Sequence, residues 1–181
     1  MKAYMVAGLF AGDEGKGACV DFLCRRYGAG LVVRYSGGPQ AAHRVVTADG
    51  KAHVFSQFGA GTFAGARTYL SRFMMVEPYA MLNEIDALES VGIAHPERLL
   101  TIDPECTVVT PYHWIANQLR ESLRAAGRHG SCGMGVGEAY CDREDGVALK
   151  IRGMGDAAAT LKAIQARKLE EFRRKRRGVA E

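Results

Sequence analysis

The sequence predicts an α/β protein, a mostly parallel sheet with flanking helices. Three observations carry this expectation. Short apolar runs alternate with segments whose apolar residues recur three or four positions apart. Glycine-dense turns punctuate the alternation, where a parallel sheet needs its crossovers to begin and end. The 181 residues, 48% hydrophobic and 24% charged, suffice for one domain with a hydrophobic core.

Taken in order, Tyr4–Leu9 reads as a buried first strand running into the turn "GDEGKG" (12–17). Lys2 and the apolar stretch after it imitate a short signal sequence, but no small-residue cleavage site follows, so a strand is the better reading. A helix then runs from about Gly15 to Gly28, with Ala18 and Phe22, and Cys19 and Leu23, four apart. "GLVVRYSGG" (30–38) reads as a short buried strand, which completes a βαβ unit. "HRVVTADGKAHVFSQF" (43–58) alternates around Asp49-Gly50 and predicts a hairpin.

Pro78 opens a second helix with Met81, Leu82, Ile85 and Leu88 on its inner face and Gly92 near its end. "RLLTIDP" (98–104) is another strand. Pro111 opens a third helix whose Ile115, Leu119 and Leu123 share a face, stopped by Gly127. A second glycine-dense loop, "GSCGMGVGEAY" (130–140), follows. The end of the chain reads as helical, with Leu161, Ile164, Lys168 and Phe172 forming a ragged stripe. The last stretch, 154–181, is thus set off as a helical basic segment from residues 1–153.

Charge and cysteine usage exclude several classes. The run "RRKRR" (173–177) accounts for more than the whole net charge of +4, so the body is nearly neutral and presents no nucleic-acid surface. That run is expected to end a helix or form a solvated tail. No apolar stretch reaches the length of a membrane span. The five cysteines are odd in number and lack C-x-x-C spacing, which points to a reducing cytoplasm. The five histidines are scattered singly, and no metal cluster declares itself.

The first loop looks like a Walker loop with substitutions: Phe10 stands at the first glycine position and Gly17 at the hydroxyl position after Lys16. Glycines 12, 15 and 17 let the backbone aim amides inward, and Lys16 and the following helix add positive charge. Phosphate suits such a turn. Asp13 would repel it unless the carboxylate binds a bridging Mg²⁺ or takes a proton from the substrate. The alternative reading is a strand–helix turn with exposed polar residues. In a parallel sheet the second loop, "SGGPQAAH" (36–43), would converge on the same crevice and bring Gln40 and His43 opposite Asp13.

"GDEGKG", then "VVRYSGGPQAAH", then "GSCGMGVGEAY" match in order and spacing the N-terminal part of the adenylosuccinate synthetase family, and the chain resembles it over about residues 3–153. "MLNEIDALESVGI" and "RLLTIDPECTVVTPYHWIANQLRE" follow the same pattern. The resemblance implies a P-loop-NTPase-like fold, incomplete relative to the family, and a GTP- and Mg²⁺-dependent ligase of purine biosynthesis. Such a ligase joins IMP to L-aspartate and is cytoplasmic and homodimeric, with neither nucleic acid nor membrane as partner.

By the same resemblance Asp13 takes the N1 proton so that O6 attacks the γ-phosphate, and His43 donates a hydrogen bond or proton where charge develops. Gly12, Asp13, Glu14, Gly15, Lys16, Gly17, Ala18, Ala42, His43 and Arg44 hold GTP. Asp13 through Lys16, Gln40, Ala41, Ala42, His43, Ser131 and Cys132 hold IMP, and Asp13 with the Ala42 carbonyl holds the metal. The chain departs from the family pattern at Ala11, Gln40, Ala42, Cys132 and Met134. Glu144-Asp145-Gly146 stands where the family carries basic residues.

Family members run to well over twice this length. The aspartate loop, an arginine-rich segment and the guanine-selecting motif lie beyond the matched part, so 1–181 alone is expected to lack ligase activity. Two other readings stay open: a ligase acting on another purine monophosphate such as dGMP, and a non-catalytic nucleotide-binding relative. A generic P-loop phosphotransferase ranks last, because Gly17 offers no hydroxyl to Mg²⁺.

Overall fold

Glycines fix both ends of the first helix. α1 (Lys16–Tyr27) begins after Gly15 and ends at Gly28, both left-handed, and the Gly28 amide closes on the Cys24 carbonyl at 2.9 Å. The structure is a computed structural model and describes residues 2–10, 12–124, 127 and 129–178. Ala11, one of the departures noted above, lies outside the described residues, as do the side chains of the basic run beyond Arg174.

A three-stranded parallel sheet forms the centre, made of β1 (Leu31–Arg34), β4 (Arg67–Leu70) and β6 (Leu100–Ile102) in the order β1-β4-β6. Between the first two lies the expected hairpin, β2 (His43–Val46) against β3 (Ala52–Phe55), with Gly50 left-handed in its turn. Beyond the sheet, β5 (Met75–Val76) pairs in parallel with β7 (Thr107–Val108), and single bridges from Gly37 to Met74 and from Thr107 to Lys150 extend this second ladder.

Pro78 opens α2 (Pro78–Ser90), and the buried Glu77 caps it by accepting from the amides of Tyr79 and Ala80. Thr110 and His113 form a capping box at the start of α3 (Pro111–Leu123). α4 (Val136–Glu144) and α5 (Ala158–Gly178) follow. Phe55, Phe58, Leu70, Met74, Val76 and Leu88 centre the main core between sheet, hairpin and α2. A smaller cluster of Val108, Leu149 and Ile164 seats α5. Among the described residues no helix is long and apolar enough to cross a membrane.

The structure departs from the sequence pattern in several places, and β1, expected to be buried, exposes Leu31 and Val33 on one face. Tyr4–Leu9 forms no strand: Met5 and Leu9 are each 94% exposed, and the segment pairs with none of the strands among the described residues. The α1 face carrying Ala18, Cys19 and Phe22 is likewise exposed. It faces Met5, Val6 and Ala7 across an open depression of about 550 Å³, while Gly17, Asp21 and Cys24 are the buried side. Leu82 in α2 is exposed, because Glu84 takes the inward direction. In α3 the apolar stripe of Ile115, Leu119 and Leu123 points outward, and His113 and Ala116 are buried.

Candidate nucleotide-binding site

Charge inside the first loop is handled by the loop itself. Glu14 turns back and accepts from the amides of Leu9 and Phe10 at 2.8 and 2.7 Å and from Lys16 Nζ at 2.9 Å. The Lys16 hydrogen bond, helped by the two amides, holds the Glu14 carboxyl below the ordinary carboxylate range. Lys16 is thereby steered across the loop rather than into open solvent. Asp13 is exposed, on backbone with φ of 46°, between the left-handed Gly12 and Gly15. Residues with positive φ in succession with right-handed ones turn amides toward one concave side.

The first and second loops meet at one point. A Cβ on Gly17 would lie 2.7 Å from His43 Cβ and 3.2 Å from its Cα. This explains the missing hydroxyl: a serine or threonine at 17 has no room beside the start of β2. His43 is half-buried, and burial, with the positive charges of Arg34 and Lys16, keeps its imidazole below its ordinary pKa. Arg34, at the end of β1, donates to the carbonyls of Ser56 and Phe58 and stays fixed behind the hairpin.

Under that hairpin sits Glu84, a residue that sequence patterning did not single out. It accepts from the amides of Ser56, Gln57 and Phe58 and from the Ser56 hydroxyl, with His53 Nε2 3.6 Å away. Burial pushes its carboxyl up, but the neighbouring His53 and the hydrogen bonds from Gln57 and Ser56 outweigh it and leave it below the ordinary value. Only the helical register, Glu84 between Met81 and Leu88 on one face, could have signalled this role.

Gln40 folds over Gly38, and a Cβ on Gly38 would lie 3.1 Å from Val136, so the second loop also touches the start of α4. Ala41 is partly covered, and Ala42 and Arg44 are exposed. The third loop is shorter than expected. Gly135, left-handed at φ 68°, ends it and Val136 begins the helix. Ser131 and Cys132 are exposed on this loop. Among the described residues no hydrogen bond joins them to Lys16 or His43; the contact runs through Gly38 and Val136.

Residues 5–179 match the family model described as adenylosuccinate synthetase. The chain belongs to the adenylosuccinate synthetase family. The adenylosuccinate synthetase of Azotobacter vinelandii is 40% identical over 156 residues, covering 86% of this chain and 35% of that protein. The Neisseria gonorrhoeae protein of the same name is 38% identical over 143 residues, covering 78% of this chain and 32% of its own length. A Stutzerimonas stutzeri adenylosuccinate synthetase is 38% identical over 173 residues, covering 94% and 95% respectively. The chain therefore spans about a third of the length of the Neisseria and Azotobacter relatives.

Solved structures agree on the fold. The fully ligated adenylosuccinate synthetase of Plasmodium falciparum superposes with a TM-score of 0.72 at 21% identity, over 88% of this chain and 37% of that one. The cyanophage S-2L succinoaminodeoxyadenylate synthetase, bound to dGMP and dATP, gives a TM-score of 0.56 at 24% identity, over 74% and 35%.

The donor set suits the divalent cation the family implies. Mg²⁺ takes few protein oxygens and completes its shell with phosphates and water. The exposed Asp13 carboxylate is such an oxygen, whereas Glu14 is committed to Lys16 and two amides. Elsewhere, folding assembles a group that the scattered histidines did not announce: Glu89, His95 and Glu97 each place a ligand atom within 4.8 Å of the others on the exposed end of α2.

Proposed function

We propose that this chain carries the phosphate- and proton-handling part of a GTP-dependent ligase that joins IMP to L-aspartate, acting in the cytoplasm and as a homodimer. The observation that supports it most is the approach to His43 of Gly17, which closes the turn carrying Asp13 and Lys16. In this reading residues 1–153 form the nucleotide-binding region, and 154–181 a basic helical segment.

Lys16 and the amides of Gly12, Asp13, Glu14, Gly15, Gly17 and Ala18 bind the GTP phosphates, together with Ala42, His43 and Arg44. Gln40, Ala41, Ser131 and Cys132 bind IMP, alongside the first loop. Asp13, exposed and acceptor-only, takes the proton from purine N1 as O6 attacks the γ-phosphorus and GDP leaves. The amine of aspartate then displaces phosphate from C6. His43, whose imidazole is held below its ordinary pKa by burial and by Arg34 and Lys16, donates a hydrogen bond or proton where charge develops on the phosphoryl oxygens. Mg²⁺, held by Asp13 and the Ala42 carbonyl, would neutralise charge on the phosphates.

Calorimetric titration of GTP with Mg²⁺, GDP and IMP into the chain tests this reading, with Lys16→Gln as the comparison. Weaker triphosphate binding in the variant is expected, because a charge-assisted contact is gone. Equal affinities for all three ligands before and after the substitution would reduce Lys16 to a surface lysine. A related substrate, such as dGMP, is favoured by one observation. Glu144 and Asp145, placed where the family has basic residues, are spent on ion pairs with Arg143 and Arg167. Adding dGMP to the same titration separates the two.

A further inference from the structure

The inward face of α3 is polar, and it grips the third loop at both ends. Asn117 donates from Nδ2 to the Ser131 hydroxyl at 3.0 Å and accepts the Gly135 amide at 3.3 Å. One turn later Glu121 accepts the Gly130 amide at 3.0 Å. One turn earlier His113 lies directly beneath Gly135, where an added Cβ would come within 2.5 Å of its carbonyl carbon. Residues 113, 117 and 121 repeat at the interval that stacks side chains along a helix. They meet a loop whose glycines 130, 133 and 135 are all left-handed, at φ of 70°, 73° and 68°.

We propose that Asn117, backed by Glu121, is the positioning residue of the third loop, holding 130–135 in the shape that presents Ser131 and the loop amides to the phosphate of the purine monophosphate. The inference rests on the function proposed above, since it presumes that this loop takes that phosphate. Asn117 itself touches no substrate. Glu121 is in turn fixed by Arg124 at 2.6 Å. Substitution of Asn117 would cut the strap between the two ends of the loop while leaving α3, which is anchored by His113 and Ala116, in place.

Trp114 supplies the readout. It is the single tryptophan of the chain, and its backbone nitrogen lies 2.7 Å from where a Gly135 Cβ would sit. IMP and GTP with Mg²⁺ are titrated separately into the full chain by tryptophan fluorescence, for Asn117→Ala and Asn117→Asp. Amide hydrogen exchange at Gly130 and Gly135 is followed in parallel. Asn117→Ala is expected to weaken IMP about tenfold, the loss of two ordinary hydrogen bonds, and to leave GTP unchanged. Asn117→Asp should keep the Gly135 contact and its slow exchange but not the IMP affinity, because its carboxylate accepts the Gly135 amide yet takes the Ser131 hydroxyl proton in a hydrogen bond and sets negative charge beside the phosphate.

Unchanged IMP affinity in Asn117→Ala would overturn the proposal. So would a parallel fall for IMP and GTP together with the melting temperature, which marks a merely structural role. If the unaltered chain binds neither nucleotide, the proposed function fails, and exchange alone decides this inference. Faster exchange at Gly135 in Asn117→Ala upholds the strap, and unchanged exchange overturns it.

Discussion

Gly17→Ser writes a Walker-type hydroxyl back into the first loop, and the structure predicts harm rather than gain. The new Cβ would stand 2.7 Å from His43 Cβ, 3.2 Å from its Cα and 3.4 Å from its carbonyl carbon. Those atoms belong to the first residue of β2 and cannot swing aside as a side-chain tip would. Overpacking of this kind costs about 1–3 kcal/mol. Against it stands a helix-propensity gain of about 0.5 kcal/mol for serine over glycine. The net is a loss of about 0.5–2.5 kcal/mol, which lowers the melting temperature by about 1–10 °C in a domain of this size. Gly30→Ala is the control, since nothing lies within 4 Å of its added Cβ. Thermal melts of the three proteins are run beside GTP titrations. Gly17→Ser should melt lower and bind GTP more weakly, as Lys16 and His43 part; Gly30→Ala should do neither. A Gly17→Ser protein as stable as the parent, with unchanged GTP affinity, would refute the apposition of the two loops.

Three further outcomes follow from other parts of the structure. Lys168→Met removes the cation that donates to the buried Asp142 at 2.7 Å and should destabilise by about 3–5 kcal/mol, read by denaturant unfolding. For Asp142 burial pushes the carboxyl up, but hydrogen bonds from His113 and Lys168 outweigh it, and Glu84 is likewise held low. A carboxylate lowered in the folded state gives stability that is full above its unfolded pKa of about 4 and lost as pH falls through the folded one. The His43 imidazole, also lowered, adds a loss that begins near its unfolded pKa of about 6.5, where only the unfolded chain takes up a proton. Melting temperature should therefore decline in two stages on acidification, and His43→Gln should remove the earlier one. Asp13→Asn is nearly isosteric at an exposed position, so circular dichroism should not change. Turnover, wherever ligation is measurable, should fall about 10²–10⁴-fold.

The loops and most elements were legible because their signals are local. Gly15 and Gly28, Pro78, Pro111 and Asp49-Gly50 each act through their own backbone, and the helices and hairpin form where they point. What depends on distant partners was not legible. Tyr4–Leu9 has the residues of a strand, yet a strand exists only where another lends it hydrogen bonds. α3 shows an apolar stripe at helical spacing, but it is the polar stripe that faces the protein, with His113 buried and Asn117 and Glu121 partly covered. Asn117 and Glu121 bind the third loop, while His113 Nδ1 accepts from the Thr110 amide at 2.9 Å and Nε2 faces Asp142 at 3.0 Å. The ragged stripe of α5 has the same cause: Lys168 among Ile164 and Leu161 looked like a flaw until Asp142 and Glu138 appeared opposite it. Hydrophobic periodicity cannot announce a helix that buries charge.

Thiol labelling tests the central claim, that the glycine-rich loops make one nucleotide site. Cys132 lies exposed on the third loop and Cys141 lies exposed on α4, so the two differ in place but not in access. Cys106, whose thiol burial pushes up to about 11, stays protonated and serves as the unlabelled reference. Iodoacetamide labelling is followed residue by residue by mass spectrometry, with and without IMP and Mg²⁺–GTP. IMP at about ten times its Kd should slow Cys132 labelling about tenfold, and leave Cys141 at its original rate. Cys132 labelled equally fast with and without nucleotide would contradict the account.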